Sequence, residues 1–250
     1  MIKSLMVLLT LVVTQLIFLS LPPELIIPFN RLIRPTFYAS VAIVYLIFAG
    51  REERPRPHEG QTLILAVIGS FLYLSSIFVT GVIYGFGRNA MFGSPQVFIE
   101  NIWVYATVAF FSEYIRFKII KDTFVITTLV YTFVQMDTLR NILGTDLTGT
   151  LDFFFVVFFP TLTMNVVLSY MAFKSGFKAL LIIRYVFGSS TVFLPALPSC
   201  PPPVYAAVTS GVLLVFVSFY HINIISMKQK KRRKKSAIQV SSTVSEKCGT

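Results

Sequence analysis

Apolar stretches recur along the whole chain, and only short polar segments separate them. A helix needs roughly 20 apolar residues to cross the hydrocarbon core of a bilayer, because each residue advances the helix by about 1.5 Å. Of the 250 residues, 55% are hydrophobic and 13% are charged, and the connections leave no room for a separate soluble domain. The pattern therefore predicts an all-α, polytopic transmembrane helix bundle.

Eight spans account for these apolar stretches. The first begins with Lys3 and has the charged start and apolar core of a signal peptide. No small-residue cleavage pattern follows it, so we interpret it as a membrane helix. We place the predicted spans at residues 1–20, 35–49, 63–86, 97–116, 123–136, 151–173 (interrupted by Pro160), 179–198 and 204–225.

The distribution of lysine and arginine predicts the orientation. With the C-terminal tail inside, eight spans place 17 of the 22 lysines and arginines on the cytoplasmic side, four outside, and Arg184 within the membrane. Positive charge concentrates on the cytoplasmic side of membrane proteins. A seven-span alternative without residues 179–198 reverses every earlier loop. We therefore predict a multi-pass protein of the cell membrane with both termini cytoplasmic.

The C-terminal tail is the most basic part of the chain. We predict an integral membrane domain at 1–226 and a basic, disordered cytoplasmic tail at 227–250. Basic residues beside a span attract anionic lipid, by about 1 kcal/mol per residue. No aromatic platform accompanies them, so no nucleic-acid partner is expected. The tail residues expected to face lipid are Lys230, Lys231, Arg232, Arg233, Lys234 and Lys235.

Glu113, Arg116 and Arg184 are the ionisable residues of the predicted spans that we single out. Glu113 and Arg116 are three residues apart and share a helix face, near the cytoplasmic end of the fourth span. Arg184 lies near the same end of the seventh span. Charged groups at this depth are costly unless they are paired or hydrated, which makes them functional candidates. We predict an ion pair of Glu113 with Arg116 or Arg184, although either arginine could instead extend to the interface.

A second polar group lies on the sixth span, where Asn165, Ser169 and Tyr170 are close in sequence. Asn165 and Tyr170 join the predicted functional cluster. The alternative interpretation is that these residues form hydrogen bonds that hold helices together.

Sequence signatures of common enzyme classes are absent. The chain contains no HExxH, no GxSxG, no glycine-rich phosphate loop and no CxxC pair. Two histidines and two scattered cysteines do not suggest a zinc site. We therefore predict no catalytic residue, no metal and no cofactor, with an intramembrane enzyme the least favoured class.

Several features of residues 95–225 occur together in a known membrane module. They are Glu113-Tyr-Ile-Arg116, then Pro160, Asn165 and Ser169-Tyr170, the glycine turn at Gly176, Arg184, and the prolines 195 and 198. This arrangement resembles the polytopic membrane module appended to the catalytic domain of some archaeal and clostridial type I signal peptidases. The peptidase's Ser-Met-x-Pro segment and its lysine base are missing, and Ser169 stands where the module has threonine.

Two functional hypotheses follow. The resemblance implies a membrane module without its catalytic domain, and hence a non-catalytic protein accessory to signal-peptide processing or secretion, with a membrane-protein partner. The alternative is a small transporter or channel that uses the cluster of Glu113, Arg116 and Arg184. Transporters often have two related halves, and the spans show no such repeat, which favours the first hypothesis.

Overall fold

The computed structural model describes residues 2–49, 59–89, 94–136 and 147–248. The chain divides into two units, residues 1–213 and 214–250. The described part is almost entirely helical, so the predicted all-α architecture is confirmed, with one small strand pair added. The α-helices are α1 (Ile2–Ser20), α2 (Pro23–Pro28), α3 (Arg34–Ala49), α4 (Glu59–Tyr84), α5 (Pro95–Ile119), α6 (Phe124–Val134), α7 (Leu147–Phe153), α8 (Phe159–Lys174), α9 (Phe177–Phe193) and α10 (Pro202–Cys248), and the strands are β1 (Phe86–Arg88) and β2 (Ala196–Pro198).

Several helices have the length and composition of membrane spans. Large apolar side chains cover their outer faces: Phe71 is 71% exposed, Ile83 70% and Phe155 65%. Apolar surface of this extent is unfavourable in water and suits lipid. Within the described residues, five helical stretches are long and apolar enough to cross a membrane: Ile2–Ser20, Glu24–Phe48, Glu59–Tyr84, Gly149–Lys174 and Pro202–Ser226.

Two π-helical segments connect helices that the prolines were expected to separate. Prolines 22, 23 and 28 predict a break before the second span, which we placed at residues 35–49, but helical structure extends from Pro23 to Ala49 through a π segment at Phe29–Ile33. A proline ring clashes with the carbonyl four residues earlier. For Pro35, that carbonyl belongs to Arg31, which lies inside the π segment, where the wider turn accommodates the proline ring.

The same arrangement precedes Pro160. A π segment at Phe154–Phe158 joins α7 to α8, and it contains Val156, whose carbonyl lies four residues before the proline. The predicted sixth span is therefore one helical stretch with a widened turn. The proline changes its helical geometry without ending it.

Helix α5 lies at the centre of the bundle. It packs against α3, α8 and α9, while α6 packs against α1 and α8. Helix α6 is short and rich in threonine, a composition that predicts contact with neighbouring helices rather than lipid, and its Thr127, Thr128 and Thr132 are buried. The main apolar cluster joins α1, α3, α5 and α6 through Leu8, Leu11, Tyr38, Ala42, Ile115, Ile119, Tyr131 and Val134.

The residues Gly188-Ser-Ser190 and Pro195 predict breaks in the outer part of the seventh span, and α9 ends before Pro195 but not at Gly188. It continues through Gly188 and both following serines and stops at Phe193, two residues before Pro195. Residues 196–198 then form β2, which pairs antiparallel with β1. The side chain of Asn89 donates to the carbonyls of Thr191 and Leu194, at 2.7 and 2.8 Å, and so binds the end of α9.

Helix α10 begins at Pro202 and ends at Cys248. The disorder expected for the tail at 227–250 stays a prediction. No glycine or proline interrupts the chain between Gly211 and Gly249, and lysine and arginine are good helix formers. The side chains of Lys230, Lys231, Arg232, Arg233, Lys234 and Lys235 lie outside what the structure describes.

Candidate functional site

Glu113 forms ion pairs with two arginines, one on its own helix and one on α9. Its Oε2 lies 2.9 Å from Nε of Arg116, and its Oε1 lies 3.6 Å from Nε of Arg184. Both ion pairs that the sequence suggested are therefore present. The side chains of Glu113 and Arg116 are fully buried, and that of Arg184 is 11% exposed.

The guanidinium of Arg116 is surrounded by polar groups of α8. Its Nη2 donates to Oδ1 of Asn165 at 2.6 Å, and its Nη1 donates to the Asn165 carbonyl at 3.2 Å and to Oγ of Ser169 at 3.0 Å. The planar, five-donor guanidinium suits such a multiple contact better than an ammonium group. Arg116 is thus held by Glu113 on its own helix, α5, and by Asn165 on α8.

An aromatic ring covers the same guanidinium. Cζ of Arg116 lies 4.0 Å from the ring centroid of Tyr131 on α6, within the range of a cation–π interaction. The Tyr131 hydroxyl donates to the carbonyl of Ser112 at 2.7 Å, which fixes the ring. Arg116 therefore connects α5, α6 and α8.

Asn165 also connects Arg116 to two further polar groups. Its amide donates to Oε1 of Gln135 at 3.1 Å and to the carbonyl of Thr161 at 2.9 Å. Tyr170 follows Ser169 on α8 and is half-buried. The contacts that α8 makes with Arg116, described above, come from Asn165 and Ser169. The structure thus joins Glu113, Arg116, Arg184 and Asn165 in one cluster, which we call the charged cluster.

Arg184 differs from Arg116 because it borders a cavity. Cζ of Arg184 lies 5.6 Å from the ring centroid of Tyr105 on α5. A methyl group on Gly188 would lie against the Tyr105 hydroxyl and 3.1 Å from Nη1 of Arg184, so the glycine leaves room for both groups. Among the described residues, the buried Tyr105 hydroxyl has no hydrogen-bond partner.

The cavity has a volume of about 610 Å³ and lies within residues 1–213. This is within the usual range for small-molecule sites, roughly 300–1,000 Å³. Five of its 22 lining residues are aromatic, and one of them, Tyr73 of α4, donates a hydrogen bond to the carbonyl of Phe187 at 3.2 Å. Two arginines and no described carboxylate line it; its polar lining includes Asn30, Arg34, Asn101, Gln135, Thr161 and Arg184.

Sequence analysis missed several of these residues. Tyr105, Tyr131 and Gln135 were assigned to ordinary spans, and Arg34 to an outer loop boundary. A tyrosine inside a span needs a partner for its hydroxyl when it is buried, and that expectation could have singled out Tyr105 and Tyr131. No local pattern in the sequence points to the contact of Arg34 with the carbonyl of Val134, 100 residues later.

Comparisons of the chain with protein-family models, with curated proteins and with solved structures found no match. Within the described ranges, no group of three or more histidine, cysteine, aspartate or glutamate side chains is arranged to hold a metal ion.

The geometry separates two chemical environments. Glu113 and Arg116 neutralise each other in a site closed to solvent, which suits a structural role. Arg184 makes its 3.6 Å ion pair through Nε and lines the cavity, and its Nη1 lies beside Gly188, another lining residue.

Proposed function

We propose that this protein is a non-catalytic, multi-pass protein of the cell membrane, with eight spans and both termini cytoplasmic. The observation that carries the non-catalytic role is the complete burial of Glu113 between two arginines. Glu113 is held between two arginines, and Arg116 is held by Glu113, Asn165 and Ser169. A catalytic acid or base needs to reach substrate, and a fully buried carboxylate engaged in this way does not.

The eight-span arrangement adds α5, α6 and α9 to the five apolar stretches. Helix α5 has 25 residues and carries the charged cluster, α9 has 17 and α6 has 11. A span that is short or charged can be accommodated where protein rather than lipid surrounds it.

Topology can be tested with single cysteines on a background in which Cys200 and Cys248 are replaced by serine. We would place them at Arg54, Ala90, Leu143 and Lys178, and label intact cells with an impermeant thiol reagent. Lys178 is chosen over Gly176 because a side chain at Gly176 would meet the carboxylate of Glu59 at 2.7 Å. Positions 90 and 143 should label from outside; labelling of 54 or 178 from outside would contradict the eight-span arrangement.

We further propose that the role is accessory to signal-peptide processing or secretion, with a membrane-protein partner. Only the resemblance supports this part. Purification of the full chain from native membranes after mild crosslinking should recover a signal peptidase or translocon subunit. Recovery of neither, under conditions that retain a known partner pair of the same membrane, would contradict it.

A small transporter or channel is the second candidate, and the cavity beside Arg184 favours it. The transport pathway would pass Arg184, and Glu113 and Arg116 would have a structural role. Flux of small anions into liposomes that contain the purified protein would test it: flux above that of empty liposomes is expected, and none would argue against transport.

A further inference from the structure

Arg184 places a positive charge at the wall of the cavity that the protein only partly compensates. The charged cluster contains one carboxylate and two guanidinium groups, so its net charge is positive. The closer partner of Glu113 is Arg116, at 2.9 Å, and the more distant one is Arg184, at 3.6 Å. Charges inside a membrane protein are unfavourable unless they are paired or hydrated, so a counter-charge on the cavity side would stabilise Arg184.

Donor groups are available at this point. Among the described residues, Arg184 has no hydrogen bond to a protein acceptor, and the Tyr105 hydroxyl beside it has no partner either. The missing side chain of Gly188 leaves the space in which the two groups stand together. Guanidinium and hydroxyl donors side by side are suited to an oxyanion, because guanidinium groups bind carboxylates and phosphates through two parallel hydrogen bonds.

The rest of the cavity wall suggests what carries the oxyanion. Phe187, Leu213, Val108 and Met164 provide apolar surface, and the second arginine, Arg34, lines the same cavity. A ligand with an anionic end and an apolar body would match both surfaces. The volume of about 610 Å³ is enough for such a molecule and not for a large polymer.

We propose that the cavity binds a carboxylate- or phosphate-bearing amphipathic molecule, with its oxyanion held by Arg184 and the Tyr105 hydroxyl. The oxyanion comes from a soluble small molecule or from a lipid headgroup. This site does not depend on transport: a receptor-like or accessory protein would use it equally well.

The test uses the purified full chain in neutral detergent, with phenyl phosphate and benzoate as probes and phenol as the neutral counterpart. Binding is measured by calorimetry, together with the unfolding temperature. Phenyl phosphate or benzoate should bind at least about tenfold more tightly than phenol, since a hydrogen bond to a charged group contributes about 1.5–3 kcal/mol.

Tyr105→Phe is the decisive variant. Because the hydroxyl has no partner among the described residues, its removal should not lower the unfolding temperature, while it should weaken oxyanion binding by about tenfold. Tyr45→Phe, away from the cavity, is the matched control and should bind like the parent. Arg184→Gln should abolish binding, but it also removes an ion pair, so Tyr105→Phe keeps the proposal testable if that variant does not fold.

The lipid arm repeats the phenyl phosphate titration in nanodiscs of phosphatidylcholine with and without phosphatidylglycerol. If phosphatidylglycerol competes with phenyl phosphate in the parent but not in Tyr105→Phe, the source of the oxyanion is a lipid headgroup. If phosphatidylglycerol leaves phenyl phosphate binding unaltered, the source is a soluble molecule. The proposal is overturned if phenol binds as tightly as the anions, if no probe binds, or if Tyr105→Phe binds the anions like the parent.

Discussion

Arg116 lies with its guanidinium 4.0 Å from the ring centroid of Tyr131, so a buried cation is covered by an aromatic face from another helix. Glu113 contacts Nε of the same guanidinium, and Asn165 and Ser169 accept hydrogen bonds from its Nη atoms. Each part of the guanidinium therefore has its own partner. An ammonium group has neither the plane nor the reach to replace all of them.

We expect Arg116→Lys to lower the free energy of unfolding by about 3 kcal/mol, because at least one hydrogen bond to a charged group is lost, at about 1.5–3 kcal/mol each, together with the contact to Tyr131. Unfolding in detergent, followed by circular dichroism, measures this. Arg31→Lys is the control: Arg31 pairs with Glu100 at 3.0 Å with half of its side chain exposed, and such pairs contribute at most about 1 kcal/mol. Equal losses in both variants would contradict the special role of the buried guanidinium.

The two ion pairs of Glu113 should differ in coupling energy. Glu113→Gln should cost about 3–5 kcal/mol of stability, because it leaves buried arginines without their counter-charge. The double variant Glu113→Gln/Arg116→Gln should lose clearly less stability than the sum of the two single losses. The double variant Glu113→Gln/Arg184→Gln should also lose less than the sum, but by a smaller difference. The shorter distance, 2.9 Å against 3.6 Å, is the reason. Additive losses in both cycles would show that neither pair is energetically significant.

Asn89 should stabilise the end of α9. Asn89→Ala removes two hydrogen bonds to the carbonyls of Thr191 and Leu194, each with a net contribution of about 0.5–1.5 kcal/mol. We expect faster amide hydrogen exchange over residues 190–194 and a lower free energy of unfolding. Arg88→Ala, next to it and exposed, should change neither quantity, and a similar effect of both variants would count against the role of the Asn89 side chain.

Two glycines offer a matched comparison of packing. Gly188→Ala should destabilise the protein by about 1–3 kcal/mol, because its methyl group would displace the Tyr105 hydroxyl and Nη1 of Arg184. Gly211, also in a helix, has no atom within 4 Å of an added methyl group. Gly211→Ala should therefore raise stability by about 0.5–1 kcal/mol through helix propensity. Stabilisation by both changes would mean that the space at Gly188 is not needed.

Local sequence patterns were sufficient for some of this structure. The three-residue spacing of Glu113 and Arg116 predicted their pairing, and Pro195 predicted where α9 ends, because both depend on neighbours within one or two turns. The π segments were missed because a proline in an apolar run was interpreted as a break. Whether the helix continues through the proline depends on the geometry of the preceding turn. The cavity was missed for a different reason: Arg34, Tyr105 and Arg184 meet only through tertiary packing, which leaves no periodic signal.

The strand pair β1–β2 has a mechanical consequence. It fastens the segment that follows α4 to the segment that follows α9, and Ser199 adds a hydrogen bond to the carbonyl of Gly85 at 2.9 Å. Helices α4 and α9 also pack along their length, with the rings of Tyr73 and Phe187 stacked at 4.2 Å. These two helices cannot slide past each other along their axes without breaking the strand pair. A widening of the cavity is therefore expected where α3 lines it through Arg34 and Tyr38, and not between α4 and α9.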